Sequence, residues 1–286
     1  MLDVSYFQNS TSNTQLFQSG GSWQTWVKPR GAKTVNFFVV GAGAGGGGGL
    51  QLASGNKSGG SGGGSGGHTK LTVPSSILPD ILYILPGIGG TGGTGGSVTT
   101  AGQSATKSFV CLSPNTGSSS NIVITSGNVA AAGGPGGNTT GPSTGVGETV
   151  AITTNMVFVN LGNFLATAGI NGGNGSLNAG TLSTVTSFIV AGGGGGGLQQ
   201  GAGLTGAGPF PSIDYTPVNA DGGDGLIFYK PIFGLTGGRG GGGETNGGKG
   251  GNGAPGCGGG GGGAGTVSAG NGGRGGDGFV IITTNF

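Results

Sequence analysis

Glycine recurs in this chain with a period of three. Gly89-Gly-Thr-Gly-Gly-Thr-Gly-Gly96 repeats Gly-Gly-x, and the spacing returns in Gly247-Gly-Lys-Gly-Gly-Asn-Gly253 and Gly272-Gly-Arg-Gly-Gly-Asp-Gly278. Three residues per turn is the period of the left-handed extended helix, which rises about 3.1 Å per residue and makes no internal hydrogen bonds. With glycine at two positions of three, two faces of such a helix are bare backbone. Neighbouring helices can then approach until their amides and carbonyls bond to each other. Ordering glycine costs more entropy than ordering any other residue, so one tract alone would stay disordered. Many tracts packed side by side offset that cost. Glycine makes up 80 of the 286 residues but proline only 12, which excludes a collagen triple helix with its strict period and high proline content.

The tracts alternate with short apolar runs, which a flexible glycine linker does not do. The repeated unit is a strand running straight into glycine. It appears in Phe37-Phe-Val-Val-Gly-Ala-Gly-Ala-Gly45, Leu82-Tyr-Ile-Leu-Pro-Gly-Ile-Gly-Gly90, Asn128-Val-Ala-Ala-Ala-Gly-Gly-Pro-Gly136, Phe164-Leu-Ala-Thr-Ala-Gly169 and Phe188-Ile-Val-Ala-Gly-Gly193. Such repetition predicts a stacked architecture. Further strands are expected over 69–73, 77–85, 108–112, 122–125, 149–159, 182–191, 226–229 and 279–284, whereas no stretch holds a 3.6-residue apolar period over three turns. The expected fold is all-β, with short strands alternating with packed polyglycine-II-type helices. Composition shifts at Gly41. The expected organisation is an N-terminal β unit over 1–40, a glycine-rich region over 41–278 and a closing strand over 279–286.

Charge and motif content argue against catalysis. Only 18 residues are charged, for a net charge of +2, and Glu148 is the one charge between Ser108 and Ile213. So long an uncharged surface points toward assembly or burial against partners. Singly spread charges give no stripe for nucleic acid and no polybasic membrane patch. No apolar window is long enough to cross a bilayer, and the first residues lack a basic region followed by an apolar one, so a signal peptide is not expected. Gly41-x-Gly43-x-x-Gly46 matches a dinucleotide fingerprint by glycine frequency alone, without the helix or acid that fingerprint needs. In Gly243-Glu-Thr-Asn-Gly-Gly-Lys249, Gly250 stands where a phosphate-binding loop needs Ser or Thr. His68, the single histidine, is expected as a solvated loop residue. Asp221 and Asp224 flank a Gly-Gly pair that is either a minimal calcium site or a plain turn. Cys111 and Cys257 lie in unlike contexts and are expected as free thiols. No enzyme activity and no cofactor are expected.

Aromatic residues mark the remaining candidates. Trp23 and Trp26 serve either as a stacking platform or as filling of the N-terminal unit. Phe210, Tyr215, Tyr229 and Phe233 fall in two proline-containing stretches between later tracts. They suit either a recognition surface or a cap over the open end of the stack.

The stretch Phe17-Gln-Ser-Gly-Gly-Ser-Trp-Gln-Thr-Trp-Val-Lys-Pro-Arg-Gly-Ala-Lys-Thr-Val-Asn-Phe-Phe-Val-Val-Gly-Ala-Gly-Ala-Gly45 resembles the opening of the glycine-rich domain of bacteriophage tail and other virion proteins. Gly272-Gly-Arg-Gly-Gly-Asp-Gly-Phe-Val-Ile-Ile-Thr283 resembles its closing strand. The tracts are similar in style to those of the distal tail-fibre adhesins of T-even-like phages. The resemblance implies a virion structural protein whose first and last strands meet in one β unit. It implies a tail-fibre or spike role in attachment to a host surface glycan or protein, with Phe210, Tyr215, Tyr229 and Phe233 as receptor contacts. The chain would bind other virion proteins through Trp23, Trp26 and Phe37 and form a homo-oligomer, a trimer being usual for fibres. The alternatives are a capsid decoration protein or head fibre, and a secreted glycine-rich surface or ice-binding protein.

Overall fold

The computed structural model describes residues 11–18, 21–140, 142–149, 161–175, 189–197, 216–228 and 234–286. Thirteen strands are present among them, with two short 3-10 segments, Ser75–Ile77 and Ser119–Asn121. A five-stranded antiparallel sheet has the order β1 (Ser12–Phe17), β13 (Phe279–Asn285), β3 (Thr34–Val40), β4 (His68–Pro74), β8 (Asn163–Thr167). A four-stranded sheet has the order β2 (Gln24–Val27), β5 (Ile81–Leu85), β6 (Phe109–Cys111), β7 (Ile122–Thr125). The first and last strands therefore do pair, as Ser12 opposite Asn285 through Phe17 opposite Val280. The β unit is not confined to residues 1–40, however. Five of its nine strands come from the glycine-rich stretch between residues 41 and 278.

The two sheets bury one apolar core between them. Val35, Phe37 and Val39 alternate inward on β3 and meet Trp26, Leu82, Ile84, Val110 and Ile124 from the other sheet. Trp26 and Phe37 stand edge to face with ring centroids 6.4 Å apart, the favoured aromatic geometry. On β2 the inward residue is Trp26, while Val27 is 61% exposed. The opposite face of the five-stranded sheet is covered too. Phe38 and Ile281 pack there on a second cluster containing Val190, Leu235, Cys257 and Phe279. That double burial explains why β3 is apolar on both faces.

Past the strand ends the chain bonds in another pattern. Every N–H from Gly41 to Leu50 donates to a carbonyl, at 2.8–3.4 Å, and the acceptors rotate among three tracts. Gly41, Ala44, Gly47 and Leu50 donate to Gly67, Gly64, Ser61 and Ser58. Ala42, Gly45 and Gly48 donate to Thr106, Gln103 and Thr100, and Gly43, Gly46 and Gly49 to Gly276, Gly273 and Gly270. Three more tracts donate back to it, from Gly90, from Gly134 and from Gly259, each again in steps of three. Tract 41–50 thus has six neighbours. Tracts 58–67 and 256–265 are surrounded in the same way, and the three inner tracts adjoin one another. Around them, neighbour to neighbour, run 87–96, 270–278, 247–254, 236–243, 191–197, 169–175, 145–148, 127–138 and 100–106, with 220–226 added outside 247–254 and 236–243. Each inner tract thus has six neighbours and a bonding period of three residues.

Glycine is required here because backbones touch. A Cβ on Gly46 would lie 2.1 Å from the Gly260 carbonyl oxygen, and one on Gly47 would lie 2.0 Å from that of Pro135. Gly223, at the outer edge, has only the Arg239 side chain within reach, at 3.6 Å. Gly46→Ala is therefore expected to lower stability by about 3 kcal/mol or more, at the upper end of overpacking costs. Gly223→Ala should change it by no more than about 0.5 kcal/mol. Thermal melts of the two variants beside the parent check the contrast, and equal effects would contradict the packing described.

Candidate functional site

The strands and tracts run as long hairpins. Chains leave the sandwich along tracts such as 41–50, 87–96 and 256–265 and return along 58–67, 100–106 and 270–278. The turns between them gather at the end farthest from the sandwich. There Leu50 bridges to Gly96 and Gln51 to Gly265, while Asn219 binds Glu244, Thr245 and Asn246. This rim carries apolar side chains in water: Val98 is 81% exposed, Val267 64%, Val218 41% and Leu52 36%. Single aliphatic residues in polar turns have no periodicity to mark them, so nothing local singles them out. Their common feature is position, each lying just beyond the end of a glycine tract.

A second surface is the side made by tracts 87–96, 270–278, 247–254 and 220–226, bonded in that order. All four carry Gly-Gly-x, and x points outward as Thr91, Thr94, Asn271, Arg274, Asp277, Lys249, Asn252, Asp221 and Asp224. Side-chain oxygens here stand in for a missing carbonyl. The Gly89 N–H donates to Asp277 Oδ1 at 2.8 Å, the Gly95 N–H to Asn271 Oδ1 at 2.9 Å and the Arg274 N–H to Asn252 Oδ1 at 3.0 Å. The Lys249 and Asn252 N–H groups donate to Asp221 and Asp224 at 2.7 Å. Asp221 and Asp224 therefore close backbone bonds of the adjoining tract, and the calcium reading of this pair is set aside. Among the described residues no group of three acids, histidines or cysteines could hold a metal.

Of the three docking candidates, Trp26 and Phe37 are 0% and 1% exposed and serve as core. They offer no ring to a partner. Trp23 keeps part of its surface. Phe210, Tyr215, Tyr229 and Phe233 lie outside the described residues. Of their described flanks, Val218 and Asn219 are at the far rim, whereas Phe228 and Gly234 pair as strands nearer the sandwich. Both cysteines are free and buried, and burial pushes each thiol up to about 12. A family model for the glycine-rich domain matches residues 18–285. The chain belongs to the glycine-rich domain family. No curated protein matches it.

Two titratable groups of this glycine-rich domain are buried at the seam between sandwich and tracts. His68 is not a solvated loop residue; it starts β4, 5% exposed and edge-on to Phe38. Burial, then the charge of Lys70, pushes its pKa down to about 4. Glu148 is 1% exposed, and its carboxylate accepts the Gly67 N–H at 2.7 Å and the Ser126 hydroxyl at 2.8 Å. Only glycine at 41 leaves it room, since a Cβ there would lie 1.9 Å from Glu148 Oε2. Burial raises Glu148 to about 7 despite those two bonds and the charge of Lys107. Its folded pKa lies above its ordinary value near 4.5, so its ionisation costs stability as pH rises from 4.5 through 7, by up to about 3 kcal/mol. His68 acts in the opposite direction, costing stability as pH falls below 6.5 toward 4. Glu148→Gln should remove the loss on the alkaline side and leave only the acid-side loss. Denaturant melts from pH 4 to pH 8 measure both slopes, and an unchanged profile in the variant would refute the assignment.

Proposed function

We propose that this protein is a non-enzymatic structural component of a phage virion, a tail-fibre or spike element that attaches the particle to a host surface. The tracts are read as polyglycine-II-type helices, and the chain as one subunit of a homo-oligomer. One observation carries the reading: three inner glycine tracts, hydrogen-bonded on all sides, raise a set of turns to one end of the molecule, away from the sandwich. Exposed residues on a rigid mount suit recognition, because little order has to be gained on binding. The aliphatic side chains of that rim, Leu52, Val98, Val218 and Val267, are added to Phe210 and Tyr215 as contacts with a surface glycan or protein.

The likeness of the opening and closing segments to virion proteins supports the choice of particle. Immunogold electron microscopy of purified phage particles, with antibodies against residues 1–40 and 205–235, is the test. Gold at fibre ends or the tail tip is the expected result. Gold spread over the head would replace attachment with capsid decoration. Unlabelled particles whose disrupted proteins also give no band on a blot would end the virion reading.

A further inference from the structure

At the sandwich end of the four-tract side, where tracts 270–278 and 247–254 reach the sheet, a cleft of about 310 Å³ opens to solvent. Its wall carries Gln18, Arg274 and Asp277, and its apolar lining comes from Pro255 and Phe279. The volume lies at the lower end of the range for small-molecule sites. Its polar groups are fixed rather than free. Asp277 Oδ1 accepts the Gly89 N–H and an Nη–H of Arg274, so the carboxylate is pinned to the backbone of the next tract and the guanidinium to the carboxylate.

The pairing decides what chemistry the cleft offers. Arg274 and Asp277 neutralise each other, which removes the attraction a phosphate or carboxylate ligand would need. What remains is a set of both donors and acceptors. Arg274 keeps the N–H groups not turned to Asp277, Asp277 keeps Oδ2, and the exposed Gln18 amide has one of each, its side chain making no bond among the described residues. Beside them lies the half-buried ring of Pro255, backed by the buried Phe279. Hydroxyl groups that both donate and accept, arranged around an apolar ring face, match that lining. The geometry points to a binding site for a neutral saccharide of one or two rings. The site is separate from the far rim and does not depend on the virion reading, because binding is a property of the purified protein.

Saturation-transfer NMR on the purified full chain tests it, using the methyl glycosides of glucose, galactose, mannose and N-acetylglucosamine, with glucuronate and inorganic phosphate as charged probes. At least one neutral glycoside is expected to bind, and more tightly than either anion. Gln18→Ala and Arg274→Ala should each weaken it about tenfold or more. Both change exposed side chains, so the fold remains, as a melt would verify. Lys249→Ala, on the same side but outside the cleft, should leave binding unchanged. Failure of every neutral glycoside to bind would overturn the inference, as would tighter binding of phosphate or glucuronate, or affinity undiminished in both cleft variants.

Discussion

Everything in this molecule depends on backbones meeting without side chains between them. The inner tracts make no backbone hydrogen bond within themselves, so each of their amides and carbonyls must find a partner on another tract. At tract 41–50 the ten N–H groups do so in three directions, and three further tracts bond back to its carbonyls. The spacing that allows this leaves about 2 Å between a neighbour's carbonyl oxygen and the place a Cβ would occupy. Glycine content is therefore a steric requirement rather than a sign of flexibility. The entropy lost in ordering so much glycine is offset only collectively, which is why the inner tracts are wrapped completely.

Such an array needs a boundary that sets the register of its tracts, and the sandwich provides it. The strands β3, β5, β7 and β8 run outward into tracts, and β4, β6 and β13 receive them back. Pairing between strands thereby aligns the tracts before they meet. The change from pleated to three-fold bonding leaves donors at the seam without a regular partner. Side chains fill those places: Glu148 takes the Gly67 N–H, and the Ser108 hydroxyl takes the Gly87 N–H while donating to the Val40 carbonyl. A buried carboxylate near neutrality in its proton affinity is the consequence of using an acid where the fold needs an acceptor.

Much of this was legible in the residues, and the remainder has physical reasons for being hidden. The strand-to-glycine unit located β3, β5 and β8, the apolar runs at 122–125 and 279–284 located β7 and β13, and the period of three anticipated the bonding period, whereas the copy at 128–136 forms no strand beyond a single bridge at Val129. The distinction between unbroken and interrupted glycine has a meaning that composition alone does not convey. Gly45 to Gly49 and Gly258 to Gly263 lie in inner tracts, where all three faces touch backbone, while the Gly-Gly-x of 87–96, 247–254 and 270–278 belongs to tracts with one face in water; the inner tract 58–67 is interrupted only by the small, fully buried Ser58, Ser61 and Ser65. β1 escaped notice because Ser12-Asn-Thr-Gln-Leu-Phe17 is mostly polar, and its strand character comes from pairing with β13. His68 was misplaced because its Gly-Gly prefix looks like a loop, although it begins a strand. Glu148 stood out as an isolated charge, but nothing local reveals that it reaches across to Gly67 and Ser126.

The same bonding separates what the chain must conserve physically from what it is free to vary. Inner tracts are held by main-chain groups, so their energy is indifferent to any side chain in the turns that join them. Those turns can change length and composition without disturbing a single inter-tract bond, provided each tract keeps its phase of three. On the outer side the limits are stricter, since Asp221, Asp224, Asn252, Asn271 and Asp277 each complete a bond of the neighbouring tract. These side chains also end the array, because an outward x residue occupies the place where another tract would have to approach. A frame closed on its sides and open to variation at its turns is suited to presenting different surfaces on one unchanged support.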